Sequence, residues 1–307
     1  EYFFAGFAQD TIGLTDRLSI TPGLRFEHVI RESTSGTGVS GHATISDILP
    51  SLHAVYRAGD RVALRASISR QVNRPKFDEL APFQDEKPDK ITAGNPDLKP
   101  ARAWSLDVGG DYTSRNLFFG VNLFHRQIKD VIEQVDTGID IGGKDLFRVE
   151  NVGDGFVQGI ELEQRVGLAI LDVPVLEHFS VRANQTFIRS RLEDRTGQTR
   201  PFKQQPDMIA NASLVYERPE SGTSVSLSGN YVSSISNDDA VKEDTTRREF
   251  FLDFYAETRI YGAVSIFGWV QNITGEERHK IKIENAKTEI TDEDTGRSFF
   301  IGLKAKF

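Results

Sequence analysis

Apolar and polar residues alternate along this chain with a period of two. In residues 18–31, Leu18, Ile20, Leu24, Phe26, His28 and Ile30 share one face. Ser19, Thr21, Gly23, Arg25, Glu27 and Arg31 share the other, with Val29 the apolar exception. Trp104, Leu106, Val108, Gly110 and Tyr112 alternate with Ser105, Asp107, Gly109 and Asp111. Val62, Leu64, Ala66 and Ile68 oppose Arg65, Ser67 and Ser69, and Ala210, Ala212, Leu214 and Tyr216 oppose Asn211 and Ser213. Successive side chains of a strand point to opposite faces, so these are strands with one apolar and one polar face. No segment carries the apolar repeat at three and four that an amphipathic helix needs.

The pattern predicts thirteen strands, at 2–12, 18–31, 47–57, 62–71, 101–113, 117–133, 156–167, 179–193, 206–217, 223–236, 248–259, 263–274 and 297–307. Most run about 10–14 residues, where an ordinary soluble strand has roughly 5–6. Their connections alternate in length. Short ones fall at 13–17, 58–61, 114–116, 218–222 and 260–262, with 168–178 a longer exception that carries Leu168, Ile170, Leu171 and Val173. Long ones fall at 32–46, 72–100, 134–155, 194–205, 237–247 and 275–296. Tight turns at one rim and long loops at the other are the layout of a transmembrane antiparallel up-and-down β-barrel. A β-propeller would repeat a motif every ~40–50 residues, and a soluble β-sandwich has no reason to sort long loops from short. Tyr56, Tyr112, Tyr216 and Tyr261 sit near the short-turn ends, where an interfacial aromatic girdle belongs.

Composition narrows the function. The 307 residues sum to 37 − 45 = −8 in charge, against a nucleic-acid binder with its basic face. There is no cysteine, hence no disulfide frame, thiolate metal site or cysteine nucleophile. No run approaches the ~18–20 apolar residues of a membrane helix. The opening Glu1-Tyr2-Phe3-Phe4 has no basic region or cleavage signal and reads as the interior of a longer protein. Gly36-Thr37-Gly38-Val39-Ser40-Gly41 satisfies G-x-G-x-x-G but leads from strand to strand, so it is read as a loop. His28, His42, His53, His125, His178 and His279 lack ligand spacing, and no bound metal or cofactor is expected. The acidic runs Asp238, Asp239, Glu243, Asp244 and Asp292, Glu293, Asp294 lack the full spacing of a calcium loop. Asn184, Asn211 and Asn272 open N-x-S/T triplets on strands, without implying glycosylation. No nucleophile–base pair stands out, so no catalysis is expected.

Five segments, in order, resemble the TonB-dependent outer-membrane receptors. Ser69-Arg70-Gln71-Val72-Asn73-Arg74-Pro75-Lys76-Phe77-Asp78-Glu79-Leu80-Ala81-Pro82 is similar to that family's "RP-x-F-x-x-L-AP" loop. Gly94-Asn95-Pro96-Asp97-Leu98-Lys99-Pro100 resembles its "GNPxLKP" segment. Leu123-Phe124 through Lys129-Asp130-Val131-Ile132, Asn151-Val152-Gly153 through Gly159-Ile160-Glu161-Leu162-Glu163, and Val270-Gln271-Asn272-Ile273-Thr274-Gly275-Glu276 resemble three further family segments. The resemblance implies a plugged barrel of about 22 strands. The whole of 1–307 would then be the C-terminal portion of the barrel, without the plug, the first strands or the TonB-contacting box. The end of the chain resembles the signal read by barrel-assembly machinery, with Phe300, Gly302 and Phe307 fitting and Ala305 smaller than usual. Phe299, Ile301, Leu303, Ala305 and Phe307 form the expected lipid-facing set.

The implied activity is energised import. Long loops capture a scarce nutrient, a carbohydrate or a ferric siderophore, and energy relayed by the TonB complex carries it through the barrel. Outer-membrane lipid, the assembly machinery, TonB and the nutrient are the expected partners. Inward candidates for ligand contact are Arg25, Arg65, Asp107, Arg182, Asn184, Asp253, Tyr255, Phe267 and Trp269; the loops add Arg74, Phe77 and Phe83. Arginine forks and aromatic faces suit a sugar or an anionic siderophore. The competing role of each is to pair with its neighbours or with a plug. The loop 72–100, which mixes Arg74, Lys76, Phe77, Asp78, Phe83, Lys87 and Lys90 and is stiffened by Pro75, Pro82, Pro88 and Pro96, is expected to matter more for recognition than 237–247. A passive porin and a soluble β-sandwich adhesin are the rival readings.

Overall fold

The structure is a computed structural model, and it describes residues 1–34, 40–80, 84–88, 90–237, 242–284 and 287–305. Thirteen long strands form one continuous antiparallel wall. They are β1 (Tyr2–Gln9), β2 (Leu18–Thr34), β3 (Ser40–Arg57), β4 (Val62–Asn73), β5 (Ala101–Thr113), β6 (Leu117–Asp140) and β7 (Asp145–Gly167). There follow β8 (Phe179–Asp194), β9 (Met208–Arg218), β10 (Thr223–Val232), β11 (Glu249–Tyr261), β12 (Val264–Gln271) and β13 (Ser298–Ala305). Each pairs with the next in sequence. Among the described residues, β1 pairs only with β2 and β13 only with β12, so the wall is open with two free edges.

The period-two reading is carried by the register. Phe26↔Ile48, Ile68↔Leu106, Val108↔Leu123, Leu214↔Leu227 and Leu227↔Phe254 place large apolar residues side by side on one face. That face is open: Ile48, Leu106, Leu123 and Leu227 are all more than two-fifths exposed. An apolar face so broad requires an apolar neighbour. The opposite face is polar and holds several of the buried apolar side chains, Val29, Phe124 and Val215. Tyr56, Tyr112 and Tyr216 lie on the apolar face near its short-turn rim, as the girdle requires. Ser105 belongs to the polar face by parity, yet it is only 2% exposed, so it is a packed position and not an open one.

The structure departs from the pattern at the long-loop rim. Strands expected to end at 133 and begin at 156 run on as the hairpin of β6 and β7, reaching Asp140 and Asp145. Val135, Ile139 and Ile141 alternate there with Gln134, Asp136 and Asp140, so the period of two continues past 133 and the expected boundary falls too early. A bulge near Asn151–Gly155 re-aims this hairpin. Gly153 is indispensable to it, because a Cβ would sit 2.0 Å from the Glu193 carbonyl oxygen. The loop 72–100 carries a one-turn helix, Phe77–Leu80, and two short strands, Gln84–Glu86 and Lys90–Ala93. The link 168–178 forms two 3-10 turns, Leu168–Leu171 and Pro174–Leu176. The late loops, expected to stay solvated, contribute to a second sheet of four strands: Ile235–Ser236, Lys242–Thr246, Glu277–Glu284 and Lys287–Asp294. Asp238 and Asp239 lie outside the described residues.

Two outcomes follow from this arrangement. Leu227→Arg, on the apolar face, should cost about 2–4 kcal/mol if that face meets hydrocarbon at mid-depth, whereas Ser228→Arg on the polar face should cost clearly less. The amount of heat-modifiable protein recovered from the membrane fraction measures both, and equal recovery would mean that the faces are misassigned. The second concerns the outer sheet. There the Lys280 ammonium donates to Glu293 at 2.7 Å and holds its carboxyl below the ordinary value of 4.5, with Lys280 and Arg278 adding attraction. A lowered folded value means that the contribution is complete above 4.5 and is lost as pH falls through the lowered value. Amide exchange in 277–294 should therefore be unchanged between neutral pH and about 5 and speed up, beyond the intrinsic trend, below about 4.

Candidate functional site

The strongest electrostatic feature lies where β3 and β4 part. Their registered pairing runs from Arg57↔Ala63 to Ser51↔Ser69. Beyond it, guanidinium groups occupy the space between strands. Arg74 donates to Glu27 at 2.5 Å and to Asp47 at 2.8 Å. Arg25 holds the other oxygen of Glu27 at 2.5 Å, and Arg102 holds the other oxygen of Asp47 at 2.8 Å. The Asp47 side chain is 1% exposed, Glu27 9% and Arg74 13%. Three cations and two anions thus form one chain of fork-shaped contacts. Arg31 donates to the Pro75 carbonyl, and Pro75 is fully buried. The Arg74-Pro75 step therefore fastens the start of the loop 72–100 to the wall. Arg25 and Arg74, two expected ligand contacts, are brought together here, and both are engaged by carboxylates. Glu27, Asp47 and Arg102 were not singled out from the sequence. The signal was available in part, since Glu27 and Asp47 are inward acids on otherwise alternating strands.

The family-like segments act as locks. Asn95 donates from Nδ2 to the Val149 carbonyl at 3.0 Å, while its Oδ1 accepts from Arg148 at 2.9 Å and from the Asp97 amide at 3.1 Å. Asn151 accepts from the Lys99 amide at 2.9 Å and donates to the carbonyls of Lys99 and Asp130 at 2.8 and 2.9 Å. The two asparagines close the far end of the loop onto the β6–β7 hairpin. Asn272 does the same for the last loop, accepting from the Glu276 amide and donating to the Glu276 and Gly296 carbonyls. Its own amide donates to Asp253 at 2.8 Å, which makes Asp253 a positioning group for the turn.

The remaining inward candidates fall into separate groups along the polar face. Arg65 pairs with Asp111, Arg126 with Asp107 at 3.6 Å, and Arg182 with Glu217 at 3.2 Å. Asn184 accepts from Asn211, whose Oδ1 accepts in turn from Asn230, a ladder across β8, β9 and β10. Tyr255 donates to Glu257 at 2.6 Å. Tyr255, Phe267, Phe300 and Trp269 form an aromatic run over β11, β12 and β13, with the Trp269 and Phe300 rings stacked at 5.5 Å. Gly302 is required beneath it, since a Cβ would lie 2.9 Å from the Phe267 ring. Phe307 lies outside the described residues.

A cavity of about 720 Å³ opens where the long loops converge. It lies between Gln71, Asn73, Ala101 and Ala103 on one side and Phe147, Phe202, Lys203 and Asn237 on the other, with Arg126, Glu133, Asp136 and Asp244 also on its wall. Glu133 is held by Arg200 at 2.5 Å, and Lys90 from the loop 72–100 lies 5.5 Å over the Phe147 ring. None of the expected ligand residues lines this cavity. Phe77 is half exposed on its one-turn helix, and Phe83 lies outside the described residues. The loop 237–247 reaches the cavity through Asn237 and Asp244, and the loop 72–100 frames it with both of its ends. Phe202 went unrecognised because it stands in a polar stretch, and Phe147 because it falls in the segment 134–155, expected to be a loop.

An antiparallel wall with an open apolar face, and with its loops locked over a cavity, is the architecture of a membrane β-barrel wall. The comparisons agree. The family model described as "TonB dependent receptor-like, beta-barrel" matches residues 2–273, and the chain belongs to that family. It is 26% identical over 229 residues to the ferrienterobactin receptor of Escherichia coli K12, covering 71% of this chain and 28% of that protein. An iron-regulated outer membrane virulence protein of Vibrio cholerae is 23% identical over 320 residues, covering 99% of this chain and 44% of that one. Among solved structures, a ferric enterobactin receptor of Pseudomonas aeruginosa in complex with enterobactin superposes with a TM-score of 0.72 at 19% identity, over 99% of this chain and 45% of that one. The chain thus spans less than half the length of these relatives. Its place is the bacterial outer membrane, so the apolar face is the lipid face and the polar face the lumen.

The buried charge chain yields a graded expectation. Asp47→Ala removes the shared partner of Arg74 and Arg102 and should destabilise the folded receptor by about 3–5 kcal/mol. Arg25→Ala, at a side chain 42% exposed, should cost under about 1 kcal/mol. Urea unfolding in lipid vesicles separates the two, and similar midpoints would show that the chain contributes little.

Proposed function

We propose that this chain is part of an outer-membrane receptor that binds a ferric siderophore and imports it with energy relayed through TonB. The observation that carries this reading is a family match across most of the wall, joined to relatives named as iron–siderophore receptors. The roomy cavity at the long-loop end supports it, because its wall combines the Phe147 and Phe202 rings and several amides with Arg126 and Lys203, although Glu133, Asp136 and Asp244 stand among them. Such a lining suits a large anionic chelate, which arginine and lysine attract and ring faces support. On the same reading, the thirteen strands are the C-terminal portion of a barrel of about 22. The plug and the TonB-contacting segment would then belong to a part of the protein outside this sequence. Arg65, Arg182, Asn184, Tyr255 and Trp269 line the path below the cavity and would touch plug or cargo as it passes. The relatives described above are named for iron or enterobactin, which favours the siderophore over the carbohydrate alternative.

The test is uptake of radioiron-labelled ferric catecholate by iron-starved cells that carry the full-length receptor. Uptake should depend on the receptor gene and stop when a protonophore removes the driving force. Replacing Phe147 and Phe202 together by Ala should raise the half-saturating concentration about tenfold, the effect of losing some 1.4 kcal/mol of contact. Receptor-dependent entry that persists with the protonophore would favour a passive pore.

A further inference from the structure

We propose that the lipid face of β6, β7 and β8 carries a docking site for phosphate groups of the outer-leaflet glycolipid, centred on Arg189 and Arg191. The register places Leu123↔Ile160↔Phe187 in one row across the three strands. The next row on the same face is His125↔Gln158↔Arg189, and the one after it is Gln127↔Phe156↔Arg191. The first row is purely apolar, and Leu123 and Phe187 are open to the surroundings. The change to polar and cationic side chains is abrupt. With a rise of about 3.3 Å per residue, Arg189 and Arg191 stand about 7 and 13 Å beyond Phe187 along the strand. Headgroup phosphates sit just above the acyl chains, within that range.

Both arginines are exposed. Among the described residues neither guanidinium has a hydrogen bond or an ion pair. That sets them apart from Arg25, Arg65, Arg74, Arg102, Arg182 and Arg200, all of which hold carboxylates. A guanidinium offers a fork of donors matched to phosphate oxygens. The surroundings fit a lipid and not a protein carboxylate. Phe156 and His125 stack at 5.8 Å, an amphipathic pair suited to headgroup depth. Gln158 pairs with His125 at 3.2 Å and leaves its amide group beside Arg189. Farther out on this face come Asp154 and Glu193, around a cleft of about 670 Å³ that Arg191 also lines. Asp154 is engaged by the Asp130 amide, and Asp194 by Thr196 and Gln198. The same cleft is lined by Asp130 and Arg195, so its outer part is mixed in charge, and Arg189 and Arg191 stand on the hydrocarbon side of it.

The inference rests on the reading that the long loops face outward, but it is tested without cargo, so a failure of the import reading leaves it measurable. The full-length receptor, stripped of lipid in detergent, is titrated by native mass spectrometry with bisphosphorylated lipid A, with dephosphorylated lipid A, and with the first lipid in excess inorganic phosphate. The intact receptor should favour the bisphosphorylated lipid at least about tenfold, and inorganic phosphate should not displace it. Arg189→Gln with Arg191→Gln should abolish the preference, and the corresponding double Lys variant should keep part of it. Equal binding of the two lipids by the intact receptor would overturn the proposal even if the Gln variant failed to assemble. An unchanged preference in that variant would also overturn it, and displacement by inorganic phosphate would assign the site to the free anion instead.

Discussion

A strand in hydrocarbon has no water to satisfy its backbone, so every N–H and C=O within the bilayer must find a partner on the next strand. The rest of this structure follows from that demand. It fixes an antiparallel wall in which each strand pairs with its sequence neighbours, and it fixes which side chains share a face. Once Leu227 lies beside Phe254 and Leu214, Ser228 lies beside Ser213 and Asp253. One face then becomes uniformly apolar and the other collects the charges. The two unpaired edges, β1 and β13, are where the demand is unmet among these residues, and both strands are exposed along nearly their whole length.

The polar face has its own constraint. Charges drawn together in a narrow, partly dry interior must neutralise one another. The chain from Arg25 through Glu27, Arg74 and Asp47 to Arg102 meets it by alternating sign, and Arg65 with Asp111 and Arg182 with Glu217 meet it pairwise. The inward arginines expected as ligand contacts are thus held by carboxylates in this structure. The same groups that recognise an anion also close a gap between strands. The local geometry distinguishes the roles: Arg74 sits at a place where β3 and β4 have separated, and its fork replaces missing strand contacts.

Much of the wall was legible in the sequence because its period of two is written in every strand whose faces differ in polarity. Thirteen strands, their order and the two faces could be read from residues such as Leu106 and Ser105 alone. The rim could not. Between 134 and 141 Val135, Ile139 and Ile141 still alternate with Gln134, Asp136 and Asp140, but Gly138, Gly142 and Gly143 interrupt the run and resemble a loop. The family-like segments were legible as a resemblance but silent about mechanism. Asn95 and Asn151 lie far apart in sequence, and only folding shows that one fastens to the hairpin next to the other. Phe147 and Phe202 reach the cavity through such fastening, which no local pattern encodes.

The locks also bear on recognition. A loop of nearly thirty residues would lose much conformational freedom on closing over a ligand. Here Arg74 and Pro75 hold its beginning, Asn95 and Asn151 its end, and Lys90 lies against Phe147 in between. The described parts of the loop are fastened without a ligand, so contact energy at the cavity is not consumed in arranging them. Fixed loops carry a corresponding limit, because a mouth framed this tightly cannot itself swing wide to pass a large chelate. On the proposed import reading, passage would come from movement below the cavity, along the polar face. There the contacts are exposed pairs and amide ladders, such as Arg182 with Glu217 and Asn184 with Asn211, which water can replace at small cost. Rigid capture at the rim and exchangeable pairing beneath it are therefore two consequences of one distribution of buried and exposed charge.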